Sequence, residues 1–295
     1  MIYLNSFYLP DQSQEANAFS VTSPTYYNTL YPFQLFPQKH LTHIEFSDIT
    51  IFCGSNGSGK STLLNVISEK LSLKRGCQFN KTELYDKYES FTSEDSLIPR
   101  EVREKSKIIT SDDVFNHILD VRERNRNIDF KRLAILQQRR QYIDDPDSRP
   151  REIDFSKPET FQKYRDCAEM INKSKSASTI VKSQLGFNER TYSNGENAFK
   201  YFTDAIQPGG LYLLDEPENS ISPMLQLDLA DFLAAMARFY ECQLIISTHS
   251  PILLAIPFAR IYNMDADPVS CCKWTDLPQV KAYHDFFKRH ENDFR

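Results

Sequence analysis

Short apolar runs separated by polar turns occupy both ends of the chain and predict a sheet. The runs at 211–214 and 243–247 are continuously apolar, which is typical of parallel strands buried on both faces. Other short or alternating runs predict strands at 2–9, 43–46, 49–52 and 260–264. The predicted fold class is therefore α/β, a mixed sheet flanked by helices.

Apolar residues at a helical spacing predict the helices that flank this sheet. The predicted helices cover residues 61–73, 112–119, 130–142, 198–206, 223–240 and 277–295. The polar segment 112–188, broken by the turn DDPDSRP at 144–150, is predicted to be a helical insertion, or arm. The stretch 11–37 is rich in aromatic residues and prolines, which predicts an ordered loop or short edge strands. We expect one domain, 1–295, including the arm at about 112–188, although the length also allows two domains.

Composition and length fit a folded protein. The chain has 295 residues, of which 40% are hydrophobic and 25% are charged. No stretch approaches the roughly 20 consecutive apolar residues of a spanning helix, and residues 1–10 lack the basic start and apolar run of a signal peptide. A cytoplasmic protein without membrane contact is expected. The six cysteines form no CxxC pair, so we expect reduced and mostly buried thiols rather than a zinc site or disulfides.

Charge is distributed unevenly along the chain. The formal net charge is −5, yet residues 122–190 contain 16 Lys and Arg against 11 Asp and Glu, a net charge of +5. A polyanion, if one binds, should prefer the arm; the alternative is a solvated helical face, because acidic residues are interleaved with the basic ones. The basic residues that could form a patch are Arg122, Arg124, Arg126, Lys131, Arg132, Arg139 and Arg140.

A glycine-rich loop lies between the predicted strand at 49–52 and the predicted helix at 61–73. Its sequence GSNGSGKS matches GxxxxGK[ST], in which backbone N–H groups hold phosphates, the lysine reaches the β- and γ-phosphates and the last hydroxyl binds Mg²⁺. The N-terminal dipole of the following helix strengthens this anion site. The residues predicted to bind a nucleotide here are Gly54, Ser55, Asn56, Gly57, Ser58, Gly59, Lys60, Ser61 and Thr62.

Two adjacent carboxylates follow the predicted strand at 211–214. This arrangement is expected when Asp215, together with the Ser61 hydroxyl, holds Mg²⁺ and Glu216 polarises an attacking water. A strand end followed by a solvated acidic turn would give the same local pattern. The phosphate loop upstream favours the metal and base roles.

A polar helix start precedes the acidic strand by about twenty residues. Its residues Ser193, Asn194, Gly195 and Glu196 open a predicted helix whose backbone donors can bind phosphate. The alternative is an N-cap that serves the helix alone.

A histidine follows the predicted strand at 243–247. In a parallel sheet, His249 should lie beside the strand ends that carry Lys60 and Asp215. It could then contact a γ-phosphate, although a lone histidine can also be structural.

The order of these motifs resembles that of the ABC-type ATPases. The chain contains, in this order, the phosphate loop, a long insertion and the sequences YSNGE, LLDEPENS and STHSP. This order is similar to that of the small soluble branch of AAA-family ATPases near the RecF, SMC and OLD-like proteins. The resemblance covers most of the chain. It implies ATP and Mg²⁺ as ligands. It also implies that 193–196 take the place of the ABC signature, that 219–222 take the place of the D-loop, and that His249 takes the place of the switch histidine.

Two features depart from the family pattern of transporter subunits. The signature reads SNGE rather than SGGQ, and about 130 residues separate it from the phosphate loop. No glutamine can be assigned to the Q-loop; Gln78 follows a Gly-Cys turn, whereas Gln137 and Gln138 lie in the predicted arm.

The resemblance implies a mechanism and a set of partners. In families with this motif order, two subunits pack head to tail, so that each ATP lies between one subunit's phosphate loop and the other's signature. Glu216 is then the catalytic base, Lys60 and His249 contact phosphates, and Ser193 and Gly195 act in trans. The implied protein is a homodimer in its ATP state, a regulatory clamp on nucleic acid or on a partner effector such as a nuclease, in phage defence or DNA repair.

Three alternatives remain beside this hypothesis. One is the nucleotide-binding subunit of a membrane transporter, against which the long insertion and the missing Q-loop argue. Another is a nuclease, because Asp265-Ala-Asp267 is a DxD triplet as in OLD-like proteins; only 28 residues follow it, which favours an acidic turn. The third is a protein-docking face on the last predicted helix, which otherwise packs on the core.

Overall fold

The chain divides into two units. The computed structural model describes residues 1–20, 30–79, 81, 83–150, 158–172, 176–185, 193–219 and 221–295. The core unit comprises Met1–Phe115 and Ser193–Arg295, and the arm unit comprises Asn116–Tyr192. The arm unit nearly coincides with the insertion predicted at about 112–188. A single domain that includes both units stays a prediction.

The strands of the described residues all lie in the core unit. They are β1 Leu4–Tyr8, β2 His43–Glu45, β3 Ile49–Cys53, β4 Ser93–Ser96, β5 Lys107–Thr110, β6 Leu211–Asp215, β7 Gln243–Ser247, β8 Arg260–Asn263 and β9 Ser270–Cys271. All six predicted strands are confirmed. The strands β4, β5 and β9 were not predicted, because they are short and β4 (SEDS) is entirely polar.

Helices of the described residues lie in both units. They are α1 Gln12–Ser20, α2 Lys60–Lys70, α3 Glu83–Ser90, α4 Arg100–Lys105, α5 Ser111–Asp144, α6 Pro158–Met170, α7 Ala177–Gln184, α8 Asn194–Ala205, α9 Pro223–Phe239, α10 Pro251–Leu254 and α11 Pro278–Arg289. The helices predicted near 61–73, 198–206, 223–240 and 277–295 are confirmed. None of the helices in the described part of the chain has both the length and the apolar character that crossing a membrane requires.

The larger sheet has the strand order β5-β6-β7-β3-β8-β9. Its first five strands are parallel and β9 is antiparallel to β8. Every residue of β3 and β7 is buried, which explains their continuous apolar sequences. The strand β7 lies between β3 and β6, so the strand before the glycine-rich loop and the strand before the acidic pair are not direct neighbours. The predicted mixed α/β fold class is confirmed.

The helix α2 covers one face of this sheet. It packs on β6 and β7, and Leu63, Leu64, Val66 and Ile67 are fully buried in the core. Their spacing is the helical stripe that the sequence predicted. Burying this stripe fixes the start of α2, and with it the glycine-rich loop, against the carboxyl ends of the strands.

The smaller sheet is antiparallel, with the order β2-β1-β4. Gln243 joins it to the larger sheet, although this side chain is fully buried. Its Oε1 accepts hydrogen bonds from the backbone N–H groups of Tyr3 and Leu4, both at 2.8 Å. Its Nε2 donates to the carbonyl oxygens of Leu4 and Ser47 at 2.8 and 3.2 Å. A buried amide with four backbone partners is a strong constraint on how the two sheets meet.

Replacing Gln243 by Leu should destabilise the core unit by about 3–5 kcal/mol, because two N–H groups and two carbonyl groups would lose their partner inside the protein. Denaturant unfolding of both proteins measures the difference. The matched control is Gln78→Leu at an exposed position, which should change the free energy of unfolding by no more than about 0.5 kcal/mol. Equal stability of the two variants would contradict the proposed role of Gln243.

The arm unit is helical. The helix α5 begins in the core unit and runs through Asp144 as one element, so the helices predicted at 112–119 and 130–142 are confirmed and belong to one continuous helix. The intervening residues are charged but contain no glycine or proline, and nothing there interrupts the backbone hydrogen bonds. The predicted break at 144–150 is confirmed, since a short 3₁₀ turn occupies Pro146–Ser148.

The stretch 11–37 differs from its prediction. Helix α1 occupies Gln12–Ser20 where a loop or edge strands were expected. Asp11 Oδ1 accepts a hydrogen bond from the Gln14 N–H at 2.8 Å, and Gln14 Oε1 accepts one from the Asp11 N–H at 2.9 Å. This reciprocal capping pair starts the helix despite its weak apolar pattern. Residues 21–29 lie outside the described residues.

The cysteines are free thiols, as predicted. Their burial differs from the expectation, because only Cys53, Cys167 and Cys242 are buried. Cys271 is exposed since it belongs to the short edge strand β9.

Candidate functional site

The carboxyl ends of the parallel strands bring the predicted motifs to one edge of the larger sheet. In the strand register, Asp215 of β6 pairs with Ser247 of β7, and Ser247 pairs with Phe52 of β3. The glycine-rich loop, the acidic pair and the loop after β7 therefore begin side by side. Carboxyl ends of parallel strands are where open α/β sheets bind their ligands.

The glycine-rich loop has the conformation of an anion cradle. Gly57 and Gly59 have φ angles of 81° and 98°, in the left-handed region that favours glycine. A Cβ on Gly59 would also lie 3.1 Å from a methyl group of Leu35. Lys60 begins α2 and is 4% exposed, and its Nζ donates to the carbonyl oxygens of Gly54 and Ser55 at 2.8 and 3.2 Å. The loop thus wraps around its own lysine.

A cleft of about 520 Å³ opens over this loop. Its lining joins the loop to Glu216 and to two residues of the aromatic stretch. The lining residues are Tyr31, Leu35, Asn56, Gly57, Gly59, Lys60, Ser61, Thr62 and Glu216. The Tyr31 hydroxyl donates to Thr62 Oγ1 at 2.8 Å, which fixes the ring at the mouth of the cleft. Tyr31 and Leu35 were not among the predicted site residues; the unusual aromatic content of 11–37 was the only signal for them.

Asp215 is held by two hydroxyl groups. Ser61 Oγ donates to Asp215 Oδ1 at 2.9 Å, and Ser247 Oγ donates to the same oxygen. Burial raises the pKa of Asp215 above its ordinary value, and the hydrogen bonds from Ser247 and Ser61 partly offset this effect. Ser247 was not predicted, and its position at the end of a neighbouring strand is a product of the strand order.

The predicted metal ligands, Ser61 and Asp215, are therefore in direct contact. A hydroxyl and a carboxylate are hard oxygen donors, and Mg²⁺ in phosphate sites is typically held by one or two such protein ligands together with phosphate oxygens and water. The donor set fits Mg²⁺. No group of three or more His, Cys, Asp or Glu side chains that could hold a metal occurs among the residues the structure describes.

Glu216 has a strained backbone. Its φ is 48°, in the left-handed region, where a non-glycine residue costs on the order of 1–3 kcal/mol. Its N–H donates to the carbonyl and the hydroxyl oxygen of Ser247 at 3.0 and 3.2 Å, which holds this conformation. The carboxylate lines the cleft and its side chain is 29% exposed.

Two groups flank the Glu216 carboxylate. His249 Nε2 lies 3.2 Å from Oε1, and Asn219 Nδ2 donates to Oε2 at 3.1 Å. Asn219 thus orients one carboxylate oxygen by a hydrogen bond, and the His249 ring lies close to the other, while part of the carboxylate faces the cleft. Asn219 begins the segment that resembles a D-loop; Ser220 of that segment lies outside the described residues.

A second glutamate positions the histidine loop. Glu218 Oε1 accepts hydrogen bonds from the N–H groups of His249 and Ser250 at 2.6 and 3.2 Å. Ser250 caps α10, and its hydroxyl donates to Gln226 Oε1 at 2.7 Å. The structure therefore explains the third acid of the DEPEN sequence, Glu218, which had no predicted role, as an anchor that connects the loops after β6 and β7.

The predicted signature forms a capping box. Ser193 Oγ accepts from the Glu196 N–H at 3.3 Å, and Glu196 Oε2 accepts from the Ser193 N–H at 2.8 Å. Ser193, Asn194 and Glu196 are exposed. Among the described residues, this helix start is not part of the cleft lining. Thr191 and Tyr192, the first residues of the motif, lie outside the described residues.

The Q-loop candidates are exposed side chains. Gln78 belongs to the core unit and is not part of the cleft lining, whereas Gln137 and Gln138 lie on α5 within the arm unit. The strand that lies beside β6 was also not predicted from the sequence. This strand is β5, and its last residue, Thr110, pairs with Asp215. This neighbour was missed because β5 contains only the four residues KIIT.

The last residue of β3 is tied to the end of the chain. Gln279 Nε2 of α11 donates to Cys53 Sγ at 2.6 Å. Burial raises the pKa of the Cys53 thiol to about 11, because its effect is larger than the opposing effects of the Gln279 hydrogen bond and the Lys60 charge. Cys53 is therefore a neutral thiol at physiological pH, and α11 supports the strand that leads into the glycine-rich loop.

Comparison with known proteins gives a match to a family model. Residues 116–255 match the family described as AAA domain, putative AbiEii toxin, Type IV TA system. The match covers slightly less than half of the chain. The matched segment includes 193–196, the acidic pair and His249, whereas the glycine-rich loop lies before it. No curated protein matches the chain.

Solved structures give more distant likenesses. One is the Smc head domain of Pyrococcus furiosus with an extended coiled coil, bound to the C-terminal domain of ScpA; it has a TM-score of 0.46 and 13% identity, over 97% of this chain and 100% of that chain. A putative metal-chelate type ABC transporter in an inward-facing conformation has a TM-score of 0.36 and 17% identity, over 81% of this chain and 77% of that chain.

A third likeness is a dimeric ATP-binding cassette bound to ADP and phosphate after hydrolysis. Its TM-score is 0.34 and its identity 12%, over 78% of this chain and 88% of that chain. Because all three scores are low, the roles of individual residues rest on the geometry of this chain.

Proposed function

We propose that the chain binds and hydrolyses ATP in the cleft over the glycine-rich loop. The observation that carries this proposal is the cleft itself, which joins the phosphate cradle, Lys60 and Ser61 to an oriented carboxylate, Glu216. This combination of an anion cradle and a base is what phosphoryl transfer to water needs.

The cleft offers complementary surfaces to the parts of ATP. Backbone N–H groups of the loop and the start of α2 supply donors and a positive dipole for the phosphates. Lys60 Nζ, held by Gly54 and Ser55 carbonyl oxygens, supplies a positive charge within the loop. Tyr31 and Leu35 supply an aromatic and an aliphatic surface on which a purine can stack.

Mg²⁺ is the proposed cofactor, with Ser61 and Asp215 as its protein ligands. When bound, Mg²⁺ withdraws charge from the phosphate oxygens. Binding requires the ionised form of Asp215, whose pKa is raised by burial, and the two hydroxyl donors keep its oxygen oriented toward Ser61.

Glu216 is the proposed general base. A water that attacks the γ-phosphorus gives a proton to the Glu216 carboxylate as the new P–O bond forms, and the bond to the β-phosphate oxygen breaks, leaving ADP and phosphate. Asn219 donates a hydrogen bond to the carboxylate, and His249 lies beside it. His249 is also proposed to contact the γ-phosphate, since its ring lies next to the base.

Release of phosphate from ATP by the purified chain tests the proposal. Hydrolysis that needs Mg²⁺ and saturates with ATP is the expected result. A chain that binds neither ATP nor ADP at millimolar concentration would overturn the assignment of the cleft.

A homodimer is the proposed active state. Ser193, Asn194 and Glu196 at this helix start are exposed and lie outside the cleft lining, so the positive end of the helix dipole can add to the charge stabilisation of a nucleotide bound to a second copy. Ser193 and Gly195 would then act in trans. Sedimentation of the chain with Mg²⁺ and a slowly hydrolysed ATP analogue should give dimers, and persistent monomers would contradict the head-to-tail arrangement.

The proposed output is a clamp that closes with ATP and opens after hydrolysis. The proposed setting is a soluble cytoplasmic regulator with a partner effector, such as a nuclease, in phage defence or DNA repair. The matched family is described as a putative AbiEii toxin of a type IV toxin–antitoxin system, and this description supports only a role in a system of more than one component. Nucleic acid is a second proposed partner, bound through the arm.

Only part of the basic patch on the arm is free for such a contact. Arg132 pairs with Asp129 at 2.6 Å, and Arg139 Nε donates to the Met170 carbonyl oxygen at 2.8 Å. Lys131 and Arg140 are exposed. These two residues are therefore better probes than Arg139, whose replacement would break its hydrogen bond to the end of α6.

Charge reversal of Lys131 and Arg140 to Glu should weaken binding of duplex DNA by at least about tenfold at low salt and reduce the salt dependence of binding, because two phosphate contacts are lost. Fluorescence anisotropy with a labelled duplex measures both quantities. Reversal of Lys281 and Lys288 on α11 in the core unit serves as the control. Unchanged affinity after reversal in the arm would remove nucleic acid as a partner at this face.

A further inference from the structure

The triplet Asp265-Ala266-Asp267 contacts the glycine-rich loop. Asp265 Oδ2 accepts a hydrogen bond from the Ser55 N–H at 2.7 Å, and Asp265 Oδ1 accepts one from the Ser55 hydroxyl at 2.8 Å. Both oxygens of one carboxylate therefore bind one residue of the loop. Hydrogen bonds to a charged carboxylate are stronger than hydrogen bonds between neutral groups.

Lys60 holds the same part of the loop through different atoms. Its Nζ binds the carbonyl oxygens of Gly54 and Ser55, whereas Asp265 binds the N–H and the hydroxyl of Ser55. The Lys60 ammonium therefore holds the first turn of the loop by its carbonyl groups, and the Asp265 carboxylate holds it by its hydrogen-bond donors. The Ser55 N–H, once it is occupied by Asp265, is not available as a phosphate donor, so this contact orders the loop without being part of the cradle.

The turn that carries Asp265 is itself anchored. The Met264 N–H donates to the Cys53 carbonyl oxygen at 2.7 Å, the Asp265 N–H donates to Asn263 Oδ1 at 3.0 Å, and Lys39 Nζ donates to the Met264 carbonyl oxygen at 2.6 Å. The carboxylate therefore projects from a support that is tied to β3, the strand that leads into the loop. Held in this way, it loses little conformational freedom when it binds Ser55.

The second acid of the triplet has a different partner. Asp267 Oδ1 lies 2.9 Å from His40 Nδ1, and both side chains are about 70% exposed. The two carboxylates are therefore engaged by different elements rather than by each other. This arrangement does not support the DxD triplet as a two-carboxylate metal site.

We infer that Asp265 is a positioning residue for nucleotide binding: it holds the first turn of the phosphate loop in the conformation that receives the phosphates. This inference rests on the proposed ATP function, and it adds a determinant outside the motifs that carry the resemblance to ATPases. Asp265 should affect the affinity for the nucleotide rather than kcat, because it orders the loop both before and after the nucleotide binds.

Hydrogen exchange of the nucleotide-free protein tests the geometric part. Asp265→Ala should increase the exchange rate of the Ser55 amide by at least tenfold, since the amide loses its acceptor. Asp267→Ala, in the same turn, is the matched control and should leave that amide unchanged. Equal protection of Ser55 in the wild type and in Asp265→Ala would overturn the inference without any reference to ATP.

ATP titrations and kinetics test the consequence. Asp265→Ala should raise the Kd for Mg-ATP and the KM by about five- to tenfold, with kcat little changed, as expected for loss of a hydrogen bond to a charged group at an exposed site. Asp265→Asn should restore part of the affinity, because its amide can accept from the Ser55 N–H. Ser55→Ala combined with Asp265→Ala should cost less than the sum of the two single changes.

The outcomes separate this inference from the proposed function. If the wild type and Lys60→Ala both fail to bind ATP, the proposed function is wrong. If the wild type binds ATP, Lys60→Ala does not, and Asp265→Ala binds like the wild type or more tightly, only the role of Asp265 is wrong. Thermal melting of each variant identifies a loss of affinity that comes from unfolding.

Discussion

Replacing Glu216 by Gln should lower kcat for ATP hydrolysis by about 10²–10⁴-fold, the usual contribution of a positioned general base. The amide keeps the size of the side chain and can still accept hydrogen bonds, but it cannot take a proton from water. Binding of Mg-ATP should remain within about threefold of the wild type, because Glu216 is not part of the phosphate cradle. Single-turnover phosphate release and ATP titration measure the two effects separately.

The same substitution should prolong the ATP-bound dimer, since the step that opens it is slowed. The matched control is Glu241→Gln, an exposed acid next to β7 at the opposite edge of the sheet, which should hydrolyse ATP like the wild type. A Glu216→Gln protein that turns over normally and elutes as a monomer in ATP would exclude Glu216 as the base.

Replacing Lys60 by Ala should weaken binding of Mg-ATP by about 10–100-fold, because a buried cation that bonds to phosphate is worth roughly 1.5–3 kcal/mol. The loss should extend beyond the phosphate contact. Lys60 Nζ also binds the carbonyl oxygens of Gly54 and Ser55. Without Lys60, the first turn of the loop is held by Asp265 but loses these two hydrogen bonds. Isothermal titration with ATP and ADP measures the affinity.

Lys70→Ala provides the control for Lys60, since Lys70 ends the same helix and lies away from the cleft lining. Its affinity for ATP should match the wild type. Measurements at several salt concentrations add a second criterion, because the affinity of the wild type should fall more steeply with salt than that of Lys60→Ala. Parallel salt curves with equal affinities would show that Lys60 does not contact the nucleotide.

The residues of the cleft differ in how far sequence could predict them. The glycine-rich loop was predictable because its chemistry is local; consecutive backbone donors, two glycines with positive φ and one lysine are encoded within eight positions. Asp215 and Glu216 were predictable because an apolar strand ends at two adjacent acids. Ser247 and Glu218 were not, because each gains its role from a partner on a different strand or loop.

Tyr31, Leu35 and Asp265 illustrate a second limit. Tyr31 and Leu35 line the cleft from a stretch whose composition predicted only an ordered loop. Asp265 lies in a triplet that predicted an acidic turn, yet the turn reaches Ser55, 210 residues away in sequence. Periodicity describes which face of a strand or helix is buried, and it has no information on which loops meet.

The sequence by itself determined the α/β class, most of the strands and helices, and the order of the motifs along the chain, because these depend on local apolar periodicity and on short runs of residues. Only the tertiary structure decided that β7 separates β3 from β6, that Ser247 contacts Asp215, and that Asp265 binds the phosphate loop. These contacts depend on the order and register of parallel strands, whose pairing is set by packing between segments that are far apart in the chain. The signature helix shows the same division. Its capping box is local and follows from Ser193 and Glu196, whereas only the tertiary structure shows that this helix start does not line the cleft.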